Sequence, residues 1–192
     1  MTRIENLEAK IRQLYESRDP NRADWADWLY DEHVFIVADN AVILAEKYGA
    51  NAEYSSAAAM LHDIADATMS RFAESHEQAS LDISRQLLEE CNYTPEEIAL
   101  IVDDAIKYHS CHDGNIPSST EGKVLATADS IAHLATNFYE LATAALKGEK
   151  TSEQINEWVL KKLDRDFHNK ILFEDVKDEV HSNYELLKKQ YS

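Results

Sequence analysis

Four residues with metal-binding side chains stand in otherwise apolar stretches of the chain: His33, the adjacent His62 and Asp63, and Asp129. An ionised carboxylate inside an apolar helix costs several kcal/mol unless it is paired or bound to a cation. For the His-Asp pair alone, a hydrogen bond to imidazole or a salt bridge to Lys or Arg would satisfy this need. Two imidazoles and two carboxylates together suit a divalent transition metal and leave coordination positions open. The set therefore predicts a catalytic metal centre.

The order of these residues resembles the signature of the HD-domain superfamily of metal-dependent phosphohydrolases. The segments AAMLHDIAD (58–66) and LATADSIAHL (125–134) are similar to that family's second and last motif helices, and the helix that carries His33 is similar to its first. The resemblance covers about residues 25–140. It implies an HD-domain-like all-α fold and a hydrolase of phosphate esters or anhydrides, with the four residues as metal ligands.

Some members of the superfamily hold two metal ions, and their additional ligands resemble His76 and His109 of this chain, with Asp63 bridging both ions. A helix-capping or exposed position is the alternative for each histidine. Asp66 lies three residues beyond Asp63 and thus on the same side of a helix. It resembles the acidic residue that is thought to handle the proton of the attacking water, although a solvated aspartate is the alternative. The expected cofactor is one divalent ion, or two, of manganese, iron, nickel, zinc or magnesium.

Basic residues near the C-terminus are candidates for binding the substrate phosphate. The formal net charge of −17 opposes an anionic substrate unless a metal or a local basic group reverses the field at the site. The segment DRDFHNKILF (164–173) resembles a basic stretch in related HD proteins. The resemblance implies Arg165 and Lys170 as phosphate contacts, and a solvated basic face is the alternative.

Two further histidines leave their roles open. His112 follows His109 in the loop 109–120 and is placed to reach either substrate or solvent. His133 lies four residues after Asp129, on the same face of its helix. It is predicted either to orient the Asp129 carboxylate by a hydrogen bond or to be a satisfied buried histidine.

The elements that must position these residues are helical. Alanine, leucine, glutamate and isoleucine dominate the chain, and only four glycines and three prolines interrupt it. This composition favours helices and supplies few of the turns that a β-protein needs. We predict a single-domain, all-α bundle of about eight helices over residues 1–192, in which the C-terminal helices of residues 150–192 pack on the core.

Two of these helices carry the aspartate ligands. Apolar spacing predicts a helix over 57–67, capped by Ser55 or Ser56, with the His-Asp pair in its middle. The same criterion predicts one long helix over 121–148 that contains the last aspartate and ends at Gly148.

Composition also limits the partners. The negative net charge argues against a nucleic-acid polymer, because such binders rely on clustered Lys and Arg. No run of about 18 apolar residues and no signal-peptide pattern occurs, and Cys91 and Cys111 form no disulfide framework. We therefore expect a cytoplasmic protein without a membrane partner. The amphipathic N-terminal helix, together with Trp25 and Trp28, suggests a homodimer surface.

The predicted activity is metal-dependent hydrolysis of a nucleotide or a similar small phosphorylated metabolite. Two alternatives keep the fold. A di-iron oxygenase would use the histidine-rich, six-ligand version of the site, and a nucleotide-binding sensor would hold a metal without catalysis. The sequence does not select the substrate, because no base-reading motif is present.

Overall fold

A computed structural model describes residues 1–147 and 150–192. The described part contains no strand, which confirms the all-α fold class, and none of its helices is long and apolar enough to cross a membrane. The π-helical segments Tyr30–Val34, Ala99–Ile106 and Asp166–Lys170 join or lengthen α-helices, so the α-helices of residues 1–147 and 150–192 form nine continuous runs, close to the eight predicted. The α-helices are α1 (Arg3–Glu16), α2 (Ala26–Leu29), α3 (Phe35–Tyr48), α4 (Ala52–Leu61), α5 (His76–Glu90), α6 (Pro95–Ile98), α7 (Thr120–Ala135), α8 (Phe138–Leu146), α9 (Ser152–Arg165) and α10 (Glu174–Tyr191).

Helix α4 ends earlier than the sequence predicts, and this places the His-Asp pair at its terminus. Asn51 takes the N-cap position in place of the predicted serines, because its side chain accepts a hydrogen bond from Tyr54 N at 3.1 Å. The helix gives way at Asp63 (φ −124°, ψ 28°) to a 3-10 turn, Ile64–Ala67. His62 is the C-cap residue of α4. The pair therefore lies where one helix type changes to another, and not in mid-helix.

The helix predicted over 121–148 is two helices in the structure. Thr136 is extended (φ −117°, ψ −172°) and ends α7. Its hydroxyl donates to Ala132 O at 2.7 Å and accepts from Phe138 N at 3.3 Å. This threonine side chain competes with the hydrogen bonds that would continue the helix. Gly148, the predicted end, lies outside the described residues.

Helix α7 lies at the centre of the fold, because one apolar cluster surrounds it and includes residues from α1 through α10. The C-terminal helices are attached to α7 by buried hydroxyl groups. Ser130 Oγ donates to Asp166 O at 2.5 Å, and Thr127 Oγ1 donates to Lys170 O at 3.3 Å. These bonds bring the end of α9 and its π-helical extension, Asp166–Lys170, against the helix that carries Asp129.

The apolar residues expected at a dimer surface pack against the core of the same chain. Leu7 and Ile11 of α1 are fully buried in the core. Trp25 and Trp28 pack against the same core and line an internal cavity. The homodimer remains a prediction, and these side chains do not supply a free apolar surface for it.

A tight contact at Gly122 provides a test of this packing. A Cβ atom added at Gly122 would lie 2.4 Å from Pro117 Cβ and 3.1 Å from the backbone Cα of Ala105. We expect Gly122→Ala to lower the free energy of unfolding by about 1–3 kcal/mol, as overpacking does, although alanine favours helix by about 1 kcal/mol. Urea denaturation measures the change. Lys123→Ala, one position along α7, should stay within about 0.5 kcal/mol of wild type, and an equal loss in both variants would contradict the steric explanation.

Candidate metal centre

Three histidines surround one carboxylate oxygen at the centre of the bundle. The Nε2 atoms of His33, His62 and His133 lie 3.2, 3.7 and 3.2 Å from Asp129 Oδ1. Nevertheless, neither Asp129 Oδ1 nor His62 Nε2 has a hydrogen-bond partner within residues 1–147 and 150–192. Buried polar atoms are nearly always paired. A bound cation would accept the lone pairs of these two atoms and satisfy both.

Backbone carbonyls orient two of the imidazoles. His62 Nδ1 donates to Ala59 O at 2.7 Å, and His109 Nδ1 donates to Ile106 O at 2.6 Å. Because a carbonyl oxygen can only accept, each ring carries its proton on Nδ1 and keeps the lone pair on Nε2. Metal-binding histidines usually donate their second ring nitrogen in this way. In its neutral form each ring therefore presents Nε2 as a nitrogen ligand.

The potential ligand atoms form two overlapping groups that share His62. One group is completed by His33 and Asp129, and the other by Asp63 and His109; within each group the atoms lie no more than 4.8 Å apart. The structure thus brings together the four residues of the sequence signature and adds His109. Two carboxylates and three imidazoles fit a divalent transition metal such as manganese, iron, nickel or zinc.

The electrostatic environment gives these residues the charge states of ligands. Burial lowers the pKa of His33, and it lowers the pKa of His109 to about 4, so both imidazoles are neutral near pH 7. Burial alone would raise the pKa of Asp129, but His133 and Lys170 outweigh it and hold the pKa well below its ordinary value. Arg71 has the same net effect on the pKa of Asp63. Ionised carboxylates and neutral His33 and His109 imidazoles are the charge states that metal binding requires.

The structure does not bring Asp66 and His76 into the cluster. Asp66 is fully buried and does not line the cavity. Its Oδ1 accepts from Arg71 Nε at 3.0 Å and lies 3.0 Å from His76 Nε2, while Arg71 Nη2 contacts Oδ2. Asp66 therefore pairs with Arg71 and does not face the cavity that the ligand cluster lines. His76 binds this carboxylate and belongs to neither ligand group.

A buried ionic network supports the other side of the centre. Lys170 Nζ contacts Asp129 Oδ2 and is almost fully buried, so it acts on a ligand and is not free for the phosphate contact expected from the sequence. Asp166 Oδ2 accepts from Lys162 Nζ at 2.8 Å and lies 3.0 Å from His133 Nδ1. His133 thus links Asp166 to Asp129. Sequence analysis missed Lys162 and Asp166, although their spacing of four residues on one helix face, continued by Lys170, was a usable signal.

The ligand cluster lines a cavity of about 570 Å³, a typical volume for a small-molecule site. All three tryptophans of the chain border it, as do Phe72 and Phe138. At this cavity Arg165 Nη1 donates to His112 Nε2 at 3.0 Å, and Arg165 forms no ion pair with a carboxylate among the described residues. Five basic residues line the cavity, namely Arg71, Lys107, Lys162, Arg165 and Lys170.

Comparison with known proteins identifies a family to which the chain is similar. A family model described as HD domain matches residues 30–134, more than half of the chain, and the matched segment contains all four residues of the signature. No curated protein and no solved structure matches the chain. The segment that supplies Lys162, Asp166 and Lys170 lies outside the matched residues.

Proposed function

The chain belongs to the HD-domain family, and from that premise we propose that it is a metal-dependent hydrolase of phosphate esters or anhydrides. One observation carries the proposal: the ligand cluster and five basic side chains line the same cavity. Four acidic residues line the cavity as well, and Arg71, Lys162 and Lys170 are paired with carboxylates. Arg165 has no carboxylate partner among the described residues, so it gives an anion a cationic contact in a chain whose formal net charge is −17. A cavity of this kind suits a small, negatively charged substrate.

The proposed ligands are His33, His62, Asp63, His109 and Asp129. A divalent ion held by them would lower the pKa of a bound water and polarise a phosphoryl oxygen. The other residues keep these ligands in place. Arg71 Nη1 lies 2.7 Å from Asp63 Oδ2, and Lys170 contacts Asp129 Oδ2. Each carboxylate therefore has a cationic partner that fixes its orientation.

We propose a nucleotide, or a similar small phosphorylated metabolite with a planar ring, as the substrate. Arg165 and His112 provide hydrogen-bond donors for phosphate at the cavity. Trp25, Trp28 and Trp158 provide flat apolar surfaces in the same cavity. Aromatic side chains stack on nucleobases with little dependence on base identity. A phosphate attached to a ring matches both features of this lining.

The decisive experiment is an activity screen with defined metals. Protein freed of metal by chelation is supplied separately with manganese, iron, nickel, zinc and magnesium, and each form is assayed for phosphate release from nucleoside phosphates and simple phosphate esters. We expect turnover that depends on the added metal. Binding of nucleotides without phosphate release with any of the metals would contradict the hydrolase and favour the sensor alternative.

Replacement of Arg165 by alanine tests the proposed phosphate contact. Because Arg165 has no carboxylate partner among the described residues, its charge is available to the substrate. We expect the KM to rise roughly tenfold, equivalent to about 1.4 kcal/mol of binding free energy, with little change in kcat. Steady-state kinetics of Arg165→Ala and of Lys161→Ala, an exposed neighbour on α9, provide the comparison. An unchanged KM in Arg165→Ala would remove this residue from the substrate site.

A further inference from the structure

Arg71 connects the metal cluster to a second set of polar side chains. Its Nη1 lies 2.7 Å from Asp63 Oδ2. The same guanidinium binds both oxygens of the fully buried Asp66, and Asp66 Oδ1 in turn lies 3.0 Å from His76 Nε2. One cation therefore neutralises two carboxylates that would otherwise face each other without a counter-charge.

The groups around Arg71 have the chemistry of a metal-binding site. Asp63 and Asp66 offer carboxylate oxygens, His76 offers Nε2, and His109 belongs to the same ligand group as Asp63. Two carboxylates and two imidazoles are a ligand set for a divalent ion. In this structure the guanidinium contacts both carboxylates, and His76 lies against one of them.

Arg71 cannot itself be a ligand. A guanidinium has five donors, no acceptor, and a charge that it keeps at every physiological pH. An ion that approached the same carboxylates would meet a fixed positive charge and no free oxygen of Asp66.

We propose that Arg71 takes the place of a second cation and limits the centre to one divalent ion. The second ion considered from the sequence, with His76 and His109 as its ligands, is thereby excluded by a residue of the chain itself. Asp66 and His76 become positioning residues, which hold Arg71 on Asp63. This inference rests on the proposed metal-dependent function, because it concerns the same centre.

Metal counting tests the inference without an activity assay. Metal-free wild type and Arg71→Ala are dialysed to equilibrium against manganese, and the bound ions per chain are counted by plasma mass spectrometry. We expect one ion in wild type and two in Arg71→Ala, where Asp63, Asp66 and His76 lose their cation. Electron paramagnetic resonance should show isolated manganese in wild type and spin coupling between two ions in the variant.

Two further variants separate the role of Arg71 from general effects of losing a charge. Arg71→Lys keeps the positive charge and should bind one ion. Arg85→Ala breaks an arginine–aspartate pair with Asp103 on the surface and should also bind one ion. Two spin-coupled ions in wild type would overturn the inference and restore the di-iron oxygenase as an alternative, and this count is decisive even if Arg71→Ala does not fold.

A folded Arg71→Ala that binds a single ion would likewise overturn the assigned role of Arg71. Failure of the proposed hydrolase function would give a different set of results. In that case wild type would bind one ion and Arg71→Ala two, as expected here, but neither would release phosphate from any substrate tested.

Discussion

Replacement of His62 by alanine is expected to abolish metal-dependent phosphate release while the helical fold persists. His62 belongs to both groups of potential ligands, and its ring is fixed by the carbonyl of Ala59, so no neighbour can replace it. Activity should fall by more than the roughly 10- to 100-fold that accompanies loss of a residue which only orients a ligand. Phosphate release at saturating metal, bound metal and far-ultraviolet circular dichroism of one sample measure the result.

His181→Ala is the matched control for this variant. His181 lies on α10 with a side chain that is 60% exposed, and its nearest acidic partner, Glu185, is 3.9 Å away. This control should keep the activity and the metal content of wild type. A folded His62→Ala protein that retains both metal and turnover would show that the cluster is not the catalytic centre.

The ligands of the proposed centre could be identified from the sequence because they are polar residues that interrupt apolar stretches. His33, His62, Asp63 and Asp129 are polar residues in apolar stretches, where burial demands a partner. Their order along the chain then supplied the family, which the match over residues 30–134 confirms. The composition was likewise sufficient for the all-α fold, since so few residues interrupt the helices.

The positions of Asp66 and His76 could not be derived in the same way. Asp66 lies on the same side of its turn as Asp63 only if the helix continues, and α4 ends before this point. Arg71, in the loop that follows, then binds both carboxylates. Loop conformation depends on tertiary contacts, which spacing along a helix does not report. Asp66, which was assigned to proton transfer, therefore contacts Arg71, and His76, which was assigned to a second ion, contacts Asp66.

The ionic network that contacts Asp129 could not be predicted from the sequence for a related reason. Lys170 and Asp129 are 41 residues apart, and His133 and Asp166 are 33 residues apart. Both pairs form only when the C-terminal helices pack on α7. A segment that the sequence interpreted as basic and available for phosphate is thus largely used to orient one metal ligand, and only Arg165 remains without an acidic partner among the described residues.

This network should also be the most sensitive point for the stability of the fold. Asp166 is fully buried and accepts from Tyr139 Oη at 2.6 Å and from Lys162 Nζ at 2.8 Å. Burial would raise its pKa, but Lys162 and His133 outweigh burial and hold the pKa well below its ordinary value. A carboxylate with a lowered pKa stabilises the folded state fully above its unfolded pKa of about 4. That contribution is lost as the pH falls towards the lowered value.

Asp166→Ala is therefore expected to lower the free energy of unfolding by about 3–5 kcal/mol at pH 7, because it leaves buried positive charge without its partner. Urea denaturation measures the loss, and the difference from wild type should shrink below about pH 4. Glu157→Ala is the matched control, since Glu157 and Lys161 form a pair with the same spacing on α9, with side chains 65% and 75% exposed. An exposed pair contributes less than about 1 kcal/mol. If Asp166→Ala cost no more than this control, the network would orient Asp129 without stabilising the fold.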